Sequence, residues 1–561
     1  MARSNPPGGM DSYSAVADKL KIDQALSALQ PNDLLPPRPD DKVGGAVGER
    51  FVRAIEHSLI SGRYEPETAV TVPVTKPKYA TRPAALMNLI DRVVYEALVE
   101  PLRSRIERGL VSDGVVFWPR GFEMDKRWRE FEALSQQGGN DYIVRSDVTG
   151  FYESIDHAVL QDILVRLTGR VDVIGALIDF LGQVMGGPRG LPQGIATSDV
   201  LATAYLSAVD AEMLRNGFDY RRHGDDIRIA VATHDDGRRA IHRLESQLRS
   251  VRLLINSDKS RVLHRNTYVT QLGAVEATRK GVHGRILKER KEALSDASDD
   301  EIERLVEGAD LGVETLWALF YHRTISLEEL AEKLSTHLQP DQVTVAVGSF
   351  SEAMRRMPGS GPSALAEDEF HGLVSTAMTI LLAKKLPDAI ESAPMLVGRF
   401  PDKTALVATY LSGLATSYPQ RVETASVKAL TSGYLTGWQQ AWLMAVLRRV
   451  AESTRFTHFG AALEVIVDVA HDEDASWLAR AEAVRLLAQV RKLDHKLLLR
   501  VWNRAPNSVR ADLTAAAAVV ARTEGAVWAE AFCDSMKSDP IADVVLHRVA
   551  NALQQAAVAG G

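Results

Sequence analysis

The chain has one cysteine, Cys533, in 561 residues. An internal disulfide is impossible, and nothing points to an oxidising compartment. Aromatic residues are sparse, at 6%. No uninterrupted apolar run approaches the ~20 residues that a membrane-spanning helix needs, so no membrane partner is expected. The opening residues, Met1 to Gly9, hold no apolar segment; a secretory leader is not expected, and the cytoplasm is the expected location. Positive charge is not in excess either. The net charge of −7 argues against a broad, non-specific DNA-binding surface.

What is present is ordinary for a globular protein: 45% hydrophobic and 25% charged residues. The length exceeds what one core supports, so two to four domains are expected. The charge is uneven. Between Tyr220 and Arg265 there are 11 Lys and Arg against 6 Asp and Glu, enough for a basic cleft in an acidic protein. Solvated helix faces would give the same composition.

Three regions are expected. Residues 1–45 read as an irregular N-terminal arm, with Pro31, Pro36, Pro37, Pro39 and the Gly44-Gly45 pair. Residues 46–278 read as α+β. In them Thr71 to Lys78 forms a strand and a cation-rich turn, and Asn88 to Leu110 carries a helical apolar stripe. From Asp141 strands alternate with helices around a mainly antiparallel sheet, and Asp156 is placed to cap a helix. Residues 279–561 read as all-helical. Helices of ~12–16 residues with short breaks predict stacked hairpins of HEAT-like repeat type, with an irregular bundle as the alternative.

The most informative residues are Asp225-Asp226. They lie at the tip of a predicted hairpin, in Tyr220-Arg221-Arg222-His223-Gly224-Asp225-Asp226-Ile227-Arg228-Ile229-Ala230. Asp147 ends another predicted strand, Tyr142-Ile143-Val144-Arg145-Ser146-Asp147. Carboxylates on two strand ends can hold paired Mg²⁺ ions ~3.5–4 Å apart, which drive in-line phosphoryl transfer. Asp-Asp alone carries no such meaning: Asp40-Asp41, Asp235-Asp236 and Asp299-Asp300 fall in expected loops.

Asp147-Val148-Thr149-Gly150-Phe151-Tyr152-Glu153-Ser154-Ile155-Asp156 resembles the first catalytic motif of prokaryotic reverse transcriptases. Gly190-Leu191-Pro192-Gln193-Gly194 with Ser198 resembles their second, and Tyr220 to Asp226 their third. Leu254-Ile255-Asn256-Ser257-Asp258-Lys259-Ser260 resembles the fourth, Gln271-Leu272-Gly273 a primer-grip strand, and Asp91-Arg92-Val93-Val94-Tyr95 a fingers helix. These motifs stand in the family's order across about residues 70–275. Two positions depart from it: His223 and Gly224 replace a tyrosine and an alanine.

The resemblance implies fingers and palm of a right-hand polymerase. It implies two Mg²⁺ ions, with Mn²⁺ as a substitute, at Asp147, Val148, Asp225 and Asp226. Lys259 is placed to neutralise or protonate the leaving pyrophosphate. Phe151, Tyr152, Gln193 and Gly194 are expected at the nucleotide, with the Tyr152 ring excluding a 2′-hydroxyl. Lys76, Lys78 and Arg82 are expected on the triphosphate. Expected partners are deoxynucleoside triphosphates and nucleic acid: a DNA product, with or without an RNA template.

A palm followed by a long helical region, with helices in the thumb position, resembles the abortive-infection and defence-associated reverse transcriptases of bacteria. That resemblance implies anti-phage defence, homo-oligomeric assembly and, in several members, protein-primed or template-independent synthesis. Two other readings stand beside it. One is a retron- or intron-type enzyme copying a dedicated RNA. The other is a catalytically silent nucleic-acid-binding assembly module.

Overall fold

Alternating valines make the first hairpin. In β1 (Val70–Thr75) Val72 and Val74 are buried while Thr71 and Pro73 are exposed, the period of a half-covered strand. It pairs antiparallel with β2 (Thr81–Leu86). The computed structural model describes residues 12–41, 43, 45–77, 80–110, 115–117, 130–132, 140–271, 340–453 and 460–559. Lys78 lies outside them. Gln271, expected in a strand, is helical, and Leu272 and Gly273 lie outside the described residues.

Before and around the hairpin stand α1 (Ile22–Ala28), α2 (Gly45–Ile60) and the long α3 (Leu89–Gly109). Then comes a five-stranded sheet, in order β3-β5-β6-β4-β7. Its strands are β3 (Val116–Phe117), β4 (Tyr142–Ser146), β5 (Asp219–His223), β6 (Asp226–Val231) and β7 (Arg261–His264). All neighbours pair antiparallel except β3 with β5. Between β4 and β5 run α4 (Phe151–Ser154), α5 (His157–Thr168), α6 (Val171–Val184), α7 (Ala196–Tyr205) and α8 (Ser207–Arg215); α9 (His234–Ser250) precedes β7. The Asp156 side chain accepts from the Ala158 and Val159 amides and caps α5, as its position predicts.

On one face of the sheet Val144, Ile227 and Ile229 join the core formed with α3, α5, α6 and α9. The other face of the sheet is also covered. Ile143, Ala230 and Tyr268 bury one another there. Arg228 is 2% exposed, its Nε donating to the Tyr268 hydroxyl at 3.0 Å and its guanidinium lying 5.1 Å from the Phe131 ring. Period-two patterning marks which residues share a face, but not that a later segment covers it.

The remaining described helices are α10 (Pro340–Arg355), α11 (Glu367–Ala383), α12 (Ala393–Arg399), α13 (Thr404–Leu414), α14 (Pro419–Thr431) and α15 (Gly437–Ser453). They continue as α16 (Gly460–His471), α17 (Trp477–Gln489), α18 (His495–Trp502), α19 (Asn507–Glu524), α20 (Val527–Met536) and α21 (Pro540–Ala559). They stack on second neighbours: α11, α13, α15, α17, α19 and α21 form one row, and α12, α14, α16 and α18 another. Ala, Leu and Val fill the space between, as Ala481, Val484 and Ala488 do along α17. Among the described residues, no helix is long and apolar enough to cross a membrane.

Residues 12–41, expected to be irregular, carry Tyr13, Val16, Ile22 and Ala25 into the core of the sheet domain. The helical rows close over this segment. The Trp438 indole donates to the Leu34 carbonyl at 2.7 Å, and Arg38 pairs with Asp512 at 2.7 Å. Leu35, Val72, Val74, Ala84 and Leu86 lie in the same core as the helical rows, so the first hairpin is shared between the two parts.

Candidate active site

Strand register builds the site. Ser146 on β4 faces Ile227 on β6. Asp147 is the residue that follows this pair on β4 and Asp226 the one that precedes it on β6, with Asp225 next to Asp226 in the turn. That turn has two residues, because His223 pairs with Asp226. Gly224, at φ +59, takes its first position, the left-handed conformation such a hairpin needs and glycine adopts without strain.

Two neighbouring carboxylates bear on Asp225. Burial, then the charges of Asp147 and Asp226, push the Asp225 carboxyl up to about 7, while Lys259 opposes the shift. The Asp147 Oδ2 lies 2.8 Å from the Lys259 ammonium and accepts from the Asn256 amide at 3.1 Å. The Asn256 backbone N–H donates to the Asp147 carbonyl at 2.8 Å, so the turn before β7 is tied to the end of β4. Val148 bridges to Ile255 and its side chain is core, which leaves only its backbone for a ligand role.

Among the described residues no three His, Cys, Asp or Glu side chains stand grouped as a ready cation cage. At Asp147 the Lys259 ammonium takes a cation's place. The donor set nonetheless suits Mg²⁺: hard carboxylate oxygens, crowded enough to raise the pKa of Asp225, with one exposed lysine against them.

The first hairpin brings its cations to the same cleft. Burial, then the neighbouring charges of Arg82 and Lys259, lower the pKa of Lys76, while Glu153 and Asp225 raise it. The β2 strand is fixed beside the Gln193 turn: the Ala85 amide donates to the Gln193 carbonyl at 3.0 Å, and Ala84 bridges to Gln193. Gly194 (φ +82) packs against Asn32, and its carbonyl accepts from the Asp33 amide at 3.2 Å. A Cβ at Gly194 would fall inside the Asn32 amide. Gly194→Ala is therefore expected to lower stability by about 1–3 kcal/mol, measured by chemical denaturation.

Tyr152 is half-buried, and its hydroxyl donates to Asp199 at 2.5 Å. Phe151 differs from its expected place. It is buried in the core and meets Tyr152 edge-on, ring centres 5.6 Å apart, because α4 turns successive residues to different sides. His223 is half-buried 6.1 Å from the Phe131 ring, and burial lowers its pKa.

Several supporting residues escaped the sequence reading. Asn32 lies in the N-terminal arm, outside every motif; Asp199 directly follows Ser198 of the second motif, and that adjacency is the signal that could have found it. Arg222 was legible in part: it shares a β5 face with Tyr220, and both are buried. Both side chains bond to Asp210, which lies among apolar residues on α8.

Residues 74–278 match the family described as reverse transcriptase (RNA-dependent DNA polymerase), so the chain carries a reverse transcriptase domain over that segment. A putative COX1/OXI3 intron 1 protein from Saccharomyces cerevisiae is 21% identical over 220 residues, 37% of this chain and 26% of that protein. The chain thus spans about a quarter of the length of that curated relative. A telomerase from Candida albicans, solved with a fragment of telomeric RNA, aligns with a TM-score of 0.26 at 11% identity, covering 57% of this chain and 62% of that one. An RdRp complex aligns with a TM-score of 0.28 at 11% identity, covering 96% of this chain and 60% of that one.

Proposed function

We propose that this reverse transcriptase domain is an active, Mg²⁺-dependent DNA polymerase that adds deoxynucleotides to a growing strand. The reading is supported by the charges of Asp147 and Asp226, which bear on Asp225 where the end of β4 adjoins the β5–β6 turn, inside the segment that matches the family. The site would hold its metal on those three carboxylates, with the Val148 carbonyl beside them. A bound pair of ions supplies Lewis-acid stabilisation of the phosphoryl charge and acidifies the attacking hydroxyl.

The chain's own residues do the rest. Lys76 and Arg82 present positive charge to the triphosphate from the first hairpin. Lys259, paired with Asp147 in this structure, would be free to neutralise the departing pyrophosphate where a cation held Asp147 in its place. Tyr152 lies beneath the sugar and rejects a 2′-hydroxyl by its bulk. Tyr152→Ala is expected to raise ribonucleotide use relative to deoxynucleotide use by ~10–200-fold, read as the ratio of the two kcat/KM values.

The test is incorporation of labelled deoxynucleotides with Mg²⁺, run in parallel on an RNA template, a DNA template and no template. Absence of incorporation in all three arms, with Mn²⁺ also tried, returns the domain to a silent binding module. Product without template favours the defence-type reading, which is supported by the palm motifs followed by two rows of stacked helices; we take those rows to be HEAT-like repeats that enclose product or assemble copies of the chain. The second reading, an enzyme copying a dedicated RNA, is favoured by the similarity to the yeast intron protein. A defined complementary DNA in nucleic acid co-purified with the protein would support it.

A further inference from the structure

Asp199 has no role in the reading above, yet the fold takes trouble to place it. It is half-buried in the first turn of α7, and its hydrogen bond from the Tyr152 hydroxyl is 2.5 Å long. Burial is the main cause that pushes its carboxyl up to about 7; the Tyr152 bond opposes this and the charge of Asp33 adds to it. No cation is within ion-pair distance of it among the described residues. A carboxylate that gives up water for one partner imposes a cost on the fold, and that cost is offset only by what it does for that partner.

Its setting is stiff. The residues before it on α7 are bound to α3: Thr197 donates to Glu96, and the Ser198 and Tyr95 hydroxyls are 3.0 Å apart. The Tyr95 ring is itself stacked on Phe180, 5.3 Å away. On the other side the Tyr152 carbonyl accepts from the Leu191 amide at 2.9 Å. Tyr152 is thus held at its backbone by the glycine-rich turn and at its hydroxyl by Asp199, and its ring meets Phe151 edge-on.

We propose that Asp199 is a positioning residue for sugar selection: it clamps the Tyr152 ring so that the ring cannot swing aside for a 2′-hydroxyl. The proposal rests on the reading of Tyr152 as the residue beneath the sugar. A side chain that selects by repulsion works only while it stays in place. An aromatic ring free to change rotamer yields to the larger sugar, whereas a ring tied at its far end does not.

The experiment compares Asp199→Ala, Asp199→Asn and Tyr152→Phe with Tyr152→Ala, each read as the deoxy-to-ribo ratio of kcat/KM on the full-length chain. Asp199→Ala and Tyr152→Phe remove the same bond from its two ends. Each is expected to lower the ratio about tenfold, and the double variant no further than either single one. Asp199→Asn keeps an acceptor oxygen and is expected to restore most of the ratio. A purely structural role for Asp199 would change stability and overall rate but not this ratio. An unchanged ratio in Asp199→Ala and Tyr152→Phe, when Tyr152→Ala shifts it, overturns the clamp and leaves the sugar contact standing. An unchanged ratio in Tyr152→Ala overturns the sugar contact and the clamp with it. Should Asp199→Ala fail to fold, Tyr152→Phe decides alone.

Discussion

Asp225→Asn is expected to lower deoxynucleotide incorporation by about 10³-fold or more while the protein stays folded. The magnitude follows from the several kcal/mol of charge stabilisation that a bound metal supplies, at tenfold in rate per ~1.4 kcal/mol. Stability is expected to move the other way. The metal-free protein holds Asp225 half-buried beside two like charges. Replacing its carboxylate by the isosteric amide removes that repulsion, so the thermal transition stays or rises slightly. Loss of activity together with an unchanged or raised transition would show that the residue serves chemistry at the expense of stability. Asp147→Asn should lose activity as deeply. It also releases Lys259 and weakens the tie to Asn256, so a small loss of stability accompanies it. An Asp225→Asn protein that incorporates at the wild-type rate would remove the basis of the proposed function.

The largest effect on stability is expected at Asp210, which lies outside the motifs. Arg222 and Asp210 are both fully buried. The guanidinium meets the carboxylate through two bonds, Nε to Oδ1 at 2.7 Å and Nη2 to Oδ2 at 2.8 Å. It also donates to the Thr203 carbonyl at 2.9 Å and to the Gly224 carbonyl at 3.1 Å, and the Tyr220 hydroxyl completes the Asp210 shell at 3.0 Å. The bond to Gly224 ties this buried pair to the turn that presents Asp225. Asp210→Asn leaves the guanidinium buried without its counter-charge and is expected to cost about 3–5 kcal/mol in denaturant unfolding. Removing both charges together, as in Asp210→Leu with Arg222→Met, is expected to recover most of that stability, because neither charge is then left without its partner. Incorporation should not recover with it, since the turn has lost its anchor at Gly224. A double variant as active as wild type would show that the hairpin tip holds itself.

Much of the candidate site was legible because its signals are local. A carboxylate that ends a strand-like run, and a carboxylate pair flanked by two further runs, mark strand ends wherever the strands come to lie. The helical part was legible for the same reason: its apolar positions recur at a helical period that any neighbour can cover. The place of Phe151 was not, since two adjacent aromatics look alike until the short helix turns one into the core and the other toward the cleft. Nor was the buried side of Arg228, whose cover, Tyr268, comes 40 residues later.

By itself, then, the amino-acid order determined most of the strands and helices, the hairpin turn at Asp225 and the identity of the acidic side chains. These depend on backbone preference and short-range periodicity, which act over a few residues. Only the tertiary structure decided which residues support them. Asn32 reaches Gly194 from 162 positions away, Tyr152 reaches Asp199 across 47, and Arg38 reaches Asp512 across 474. Such pairs form where the hydrophobic packing of whole elements happens to bring polar groups together out of water. A single sequence carries no local mark of that meeting, because its free energy belongs to the packed state and not to either segment alone.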